Sequence, residues 1–140
     1  MFDLNAPIIP GESAAGVRIG QSVETILANQ SPTAIVELHG CTKLQFGPVH
    51  LWVKDGRVSQ IGVYAGYRGS LNQDIYIGIG STIGAIQKLL GSVIEDEDDN
   101  LIVEGTSGWC FETEEWLAES QPKENPNARI SEIHVFAPAA

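Results

Sequence analysis

The chain has 140 residues, 43% of them hydrophobic, with eight Lys and Arg against 18 Asp and Glu and a net charge of -10. That balance excludes two function classes: phosphate neutralisation on nucleic acid needs clustered basic residues, and so does attraction to an anionic membrane surface. The hydrophobic share supports a packed globular core, and no apolar run reaches the length of a membrane span.

Residues Met1 to Pro10 lack the basic patch and apolar stretch of a signal peptide, so a cytoplasmic location is expected. A short helix follows, with Ser22 as N-cap and Val23, Ile26 and Leu27 at helical spacing. Strands are predicted at Ala34–Leu38, Lys43–Phe46, Val49–Val53 and Arg57–Ala65, punctuated by Gly40, Gly47-Pro48 and Asp55-Gly56. A second helix begins at Ser81 or Thr82, carries Ile83, Ile86, Leu89 and Leu90 as an apolar stripe, and stops at Gly91. Both stripes are expected in the core. Gly84, inside this helix, is expected to let it approach the sheet closely. Further strands are predicted at Leu101–Glu104, Ser107–Thr113, weakly near Trp116, and Arg129–Ala137, with a polar loop over Glu119–Ala128.

The chain also matches itself. Arg57-Val58-Ser59-Gln60-Ile61-Gly62-Val63-Tyr64-Ala65 aligns with Arg129-Ile130-Ser131-Glu132-Ile133-His134-Val135-Phe136-Ala137, and five of the nine positions are identical. Ile19-Gly20-Gln21-Ser22-Val23 aligns with Ile79-Gly80-Ser81-Thr82-Ile83. Between them Val36-Glu37 aligns with Val103-Glu104, and Leu44-Gln45-Phe46 with Trp109-Cys110-Phe111. Matching segments in one order at changing offsets are what insertions and deletions leave in a duplicated unit. The reading is an α+β fold of two tandem repeats, residues 11–70 and 71–140, each a short helix on a three- or four-stranded antiparallel sheet. The two are expected to join edge to edge or through their sheets into one compact unit.

The Asp55-Gly56 hairpin decides which residues share a face. A type I turn with a bulge at Gly56 puts Val49, Leu51 and Val53 with Ser59, Ile61 and Val63, and this sorting of aliphatic residues is the expected one. His50, Trp52, Gln60 and Tyr64 then occupy the other face, joined through the internal match by Glu132, His134 and Phe136. Aromatic rings and histidines mixed with polar groups suit a protein-binding surface. They equally suit burial between the two halves, and both readings stand.

Pro10-Gly11-Glu12-Ser13, followed by Gly16-Val17-Arg18-Ile19-Gly20-Gln21-Ser22-Val23, resembles the opening of small bacterial helix-plus-sheet modules. Asp55-Gly56-Arg57-Val58 through Tyr67 resembles their final strand. Such modules occur in the family of the β-lactamase inhibitory protein, in small outer-membrane lipoproteins of the barrel-assembly machinery, and in bacterial toxin-immunity proteins. The tandem arrangement is similar to the inhibitory protein, whose modules grip a partner protein, and the resemblance implies that mode of action. The lack of an export signal and of a lipidated cysteine near the start departs from the lipoproteins.

Other chemistry finds little support in the residues. Within the acidic run Glu95, Asp96, Glu97, Asp98 and Asp99, the residues Asp96, Asp98 and Asn100 imitate the first half of a calcium loop, but Leu101 and Ser107 stand where Gly and Glu are needed. A solvated loop between helix and strand is expected there, with docking of a basic partner as its second use. His39, His50 and His134 show no ligand spacing to each other or to the cysteines, so no metal and no cofactor are expected. Cys41 and Cys110 could pair in an oxidising compartment, and two half-buried thiols are the expectation. Cys110 with His134 is a weak nucleophile pair. The function expected is that of a non-enzymatic protein-binding protein, an immunity-type inhibitor of a bacterial toxin. The candidate contact residues are the ring face and the acidic run, with a basic toxin domain as partner. The alternative is a structural or assembly module, within a larger complex or as a homodimer.

Overall fold

The computed structural model describes residues 2–71, 76–114 and 125–138. Two strands, β1 (Ser13–Ala14) and β2 (Val17–Arg18), form a small hairpin turned by Ala15 and Gly16 at positive φ. Helix α1 (Val23–Leu27) precedes β3 (Ala34–Leu38), β4 (Cys41–Phe46), β5 (Val49–Lys54) and β6 (Arg57–Val63). Helix α2 (Ile83–Leu89) precedes β7 (Val93–Glu95), β8 (Leu101–Val103), β9 (Trp109–Thr113) and β10 (Ile130–Phe136).

The expected fold class is overturned. Strands from both halves merge into one eight-stranded antiparallel sheet, ordered β3-β4-β5-β6-β10-β9-β8-β7. Among the described residues the chain is mostly β, and the two helices there have only five and seven residues. It is therefore not a pair of helix-plus-sheet units. The physical reason lies at the centre. β6 and β10 pair with each other, Ile133 against Val63 and Val135 against Ile61, so the sheet runs unbroken from one half into the other.

The matched segments nevertheless do matching local work. Arg57 donates from Nη1 to the carbonyl of Gly20 at 2.8 Å, and Arg129 donates likewise to Gly80 at 3.1 Å. Ser59 is an unpaired bulge residue, because Trp52 pairs with Gln60 and Val53 with Val58. Its hydroxyl donates to the carbonyl of Trp52. Ser131 stands in the same position between Ile130 and Glu132, and donates to Glu112. These bulges correct the expected hairpin. Asp55 and Gly56 both have positive φ, as a two-residue I′ turn requires, and Lys54 pairs with Arg57. The register slip comes later, at Ser59. It brings Leu51 opposite Ile61 and Val49 opposite Val63, the facing expected from the sequence, but removes Ser59 from the aliphatic set.

The inner anchors of the self-match do not occupy equivalent strands. Trp109-Cys110-Phe111 lies on β9, one strand out from the central pair as β5 is, whereas Leu44-Gln45-Phe46 lies on β4, two strands out. The unpredicted strand β7 accounts for the slip of one strand.

The core lies on one face of the sheet. Ile26 of α1 and Ile83 and Ile86 of α2 join Val49, Leu51, Ile61, Val63, Phe111, Ile133 and Val135 in a single buried cluster. Ile8, Ala14, Ala15 and Val17 complete it from the N-terminal segment. Leu27 and Leu89, expected in the core stripes, are 44% and 51% exposed, because helices this short bury about one turn. Ser22 sits at the N-cap of α1 without a side-chain cap bond, whereas Thr82 accepts from the amide of Ala85. Gly84 approaches the turn at Pro126 and not the sheet: a Cβ there would meet the Pro126 carbonyl oxygen at 3.1 Å. Of the loop expected over Glu119–Ala128, Asn125 to Ala128 forms a turn. The rest, and the strand expected near Trp116, lie outside the described residues. Among those described, no helix is long and apolar enough to cross a membrane.

Phe111 is fully buried on this face. Phe111→Ala should cost about 3–5 kcal/mol of stability, whereas Tyr76→Ala, at a position 83% exposed, should stay within about 0.5 kcal/mol. Urea titration of both variants checks the contrast.

Candidate functional site

Alternation along β5, β6 and β10 sends their remaining side chains to the face opposite the core. His50 and Trp52 from β5, Gln60 from β6, Tyr64 just after it, and Glu132, His134 and Phe136 from β10 all stand there. Six of these seven are partly exposed; His134, at 8%, is buried among its neighbours.

His134 is the hub. Its Nε2 lies 2.8 Å from Glu132 Oε1 and its Nδ1 lies 3.0 Å from Gln60 Nε2. An amide N–H donated to Nδ1 and an Nε2–H donated to the carboxylate engage the ring on both sides. The ring of Trp52 meets it edge-on at 5.3 Å between centroids, and that of Tyr64 at 5.9 Å. His50 lies 4.2 Å from Tyr64. Space for this packing comes from Gly62, the direct cross-strand partner of both His134 and His50. A Cβ on Gly62 would lie 3.0 Å from Cε1 and Nδ1 of His134 and from Cζ3 of Trp52. The one unlike pair in the self-match, Gly62 with His134, is thus a contact pair in space: one side chain is absent so that the other can lie there.

The electrostatics follow from crowding. Burial, then the nearby Lys43 ammonium, pushes the His50 pKa below its ordinary value. Its Nδ1 is buried with no hydrogen-bond partner. Burial also raises the Tyr64 phenol, with Glu132 adding to it. Glu132 and Glu112 are register partners on β10 and β9. The hydrogen bond from His134 holds the Glu132 carboxyl below the usual range. Glu112 moves upward, first through lost hydration and then through the charge of Glu132.

Cys110 is the cross-strand partner of His134. Burial and three nearby carboxylates push its thiol up to about 12, so it is protonated at neutral pH. With His134 engaged at both nitrogens, this pair does not make a thiolate nucleophile. A disulfide to Cys41 is excluded by topology. Four interstrand steps separate β4 from β9, about 19 Å at ~4.8 Å each, and both thiols are free.

The acidic run borders this cluster through Asp96, whose charge acts on Cys110. Glu95 ends β7 and Asp96 to Asp99 begin the β7–β8 turn, a hairpin connection in place of the expected helix-to-strand loop. Asp96 Oδ1 accepts from the amides of Asp98 and Asn100, which closes the turn. Phe136 pairs with Gln60 at the end of β10, in the same cross-strand row as Trp52.

No protein-family model matches this chain, and no curated protein matches it. Among solved structures it is similar to the uncharacterized protein yfeY from Escherichia coli. That match has 15% identity and a TM-score of 0.57, and covers 94% of this chain and 99% of that one. It is also similar to a cysteine-rich secretory protein from Staphylococcus aureus, with 8% identity and a TM-score of 0.52, over 96% of this chain and 48% of that one. The chain thus spans about half of the staphylococcal protein. At such identities the likeness is one of fold.

Sequence reasoning missed Lys43, Gly62 and Glu112 as members of the face. Lys43 is the β4 partner of Trp52, its Nζ 5.0 Å from the ring centroid, a cation–π distance. Counting back through the Gly47-Pro48 hairpin would have found it. Glu112 needed the β9–β10 register, which a bulge shifts.

Two outcomes test this geometry. Gly62→Ala should cost about 1–3 kcal/mol by overpacking and shift the ring resonances of Trp52 and His134 in NMR spectra. Glu112→Gln should raise stability at pH 7, where the native fold must ionise a carboxyl whose pKa it has raised. The gain should vanish once pH falls below the unfolded carboxylate range. Urea midpoints at both pH values read this directly.

Proposed function

We propose that this chain is a non-enzymatic binding protein that engages a protein partner through the ring face of its sheet, and that it acts in the cytoplasm as an immunity-type inhibitor of a bacterial toxin. The observation that carries the reading is the cluster of Trp52, Tyr64, His50 and His134 on the sheet face away from the core cluster and its helix residues. The alternative use of these rings, burial between two halves, loses its basis, since the halves meet edge to edge through β6 and β10.

Three features support this use. Large amphipathic rings anchor interfaces at low entropic cost. The hydrogen bonds around His134 hold them in place before a partner arrives, which lowers the ordering cost of binding. Glu112 and Glu132, side by side with one carboxyl already favouring its proton, suit a partner that brings a basic side chain. The acidic β7–β8 turn, at the far side of the sheet, would speed encounter with a basic toxin domain without lying in the contact. The resemblance to the β-lactamase inhibitory protein supports a sheet-mediated grip.

Affinity capture with the tagged chain, together with co-expression beside the product of the neighbouring gene, tests the proposal. A specific complex and protection from that gene product are expected. Trp52→Ala should weaken the complex at least about tenfold, as loss of a central aromatic anchor does. Absence of any complex or protection, or full affinity in Trp52→Ala, would sink it.

A further inference from the structure

The two edges of the sheet are unequal. β7 has three residues, the last of them the first of five consecutive acids, a common way of closing an edge to other strands. β3 has five residues, with Ile35 61%, Val36 37% and Leu38 43% exposed, and carries no Lys, no Pro and no bulge. Its one charge, Glu37, accepts a hydrogen bond from Thr42 on the neighbouring strand.

We propose that β3 is the seam of a homodimer, pairing antiparallel with its own copy about a two-fold axis through Val36 and extending the sheet to sixteen strands.

The register follows from the hairpin. Leu38 and Cys41 flank the two-residue turn His39-Gly40, and residues flanking such a turn form a hydrogen-bonded pair. Alternation then makes Val36–Lys43 and Ala34–Gln45 hydrogen-bonded pairs too, which leaves the N–H and C=O groups of Ile35 and Glu37 pointing outward. A copy centred on Val36 sets Ile35 opposite Glu37 and Glu37 opposite Ile35, so every outward group of the strand meets its complement. Val36 then meets Val36, and Ala34 meets Leu38. No carboxylate faces another. The same surface serves both partners, as a two-fold interface demands.

Charge placement favours this edge. From Ala34 to Leu71 the chain carries Lys43, Lys54, Arg57 and Arg68 against Glu37 and Asp55, a net +2. From Val93 to Glu114 it carries eight acids and no Lys or Arg. Seven interstrand steps, about 34 Å at ~4.8 Å each, separate β3 from β7. A β3 seam therefore keeps the two acidic ends of the pair far beyond a Debye length of about 8 Å from each other. A head-to-tail contact would have to pair five residues of β3 with three of β7.

Sedimentation equilibrium over a wide concentration range tests the proposal. The wild-type chain should reach twice its 15.0 kDa and grow no further. Val36→Lys and Val36→Glu each place like charges face to face across the axis, and each should sediment as a monomer with an unchanged circular dichroism spectrum. An equimolar mixture of the two should restore the dimer. A wild-type chain that stays monomeric, a dimer that survives Val36→Lys, or a mass that keeps growing with concentration would each overturn it. Trp52→Ala should leave the mass unchanged, so this result and that of the partner-binding test are read separately.

Discussion

The antiparallel pairing of β6 with β10 is the constraint on which the rest of the molecule depends. It joins the two halves of the chain through hydrogen bonds and through Ile61, Val63, Ile133 and Val135, all fully buried. It also places Gly62 opposite His134. That contact leaves room for the His134 ring, which packs against those of Trp52 and Tyr64. Without the pairing, each half would end in an open strand, and the rings would have no common floor.

The sheet then divides its labour by face. One side carries the aliphatic cluster, the short helices and the N-terminal hairpin, and burial of apolar surface there supplies most of the stability. The other side carries rings and polar groups, among which Gln60, His134 and Glu132 are linked by hydrogen bonds. Such a network holds geometry more than it adds stability. Along the sheet a second gradient runs, from a slightly basic end at β3 to a strongly acidic end at β7 and β8. Face and gradient together give the molecule distinct surfaces for distinct contacts.

Much of this was legible beforehand, and the exceptions have causes. β3 to β6 and β10 announced themselves through alternation between Gly turns. The ring face followed from the same alternation. β7 did not, since three residues whose last opens an acidic run carry no period. β1 and β2 are shorter still. The apolar stripes of the two helices overstated their reach, because a periodic pattern does not report how many turns the sheet will cover. Glu112 stayed hidden behind a bulge, and Gly62 looked like a mismatch until its partner stood across from it.

Residue order alone specified the alternation, the turns, the self-match and the charge balance, since these depend on near neighbours and on composition. It could not specify that the two matched segments would pair with each other. That choice rests on contacts between residues about 70 positions apart, whose closure costs entropy and which only mutual burial can offset. The fold class, the environment of His134 and the unequal edges all follow from that long-range step, and so were decided in three dimensions.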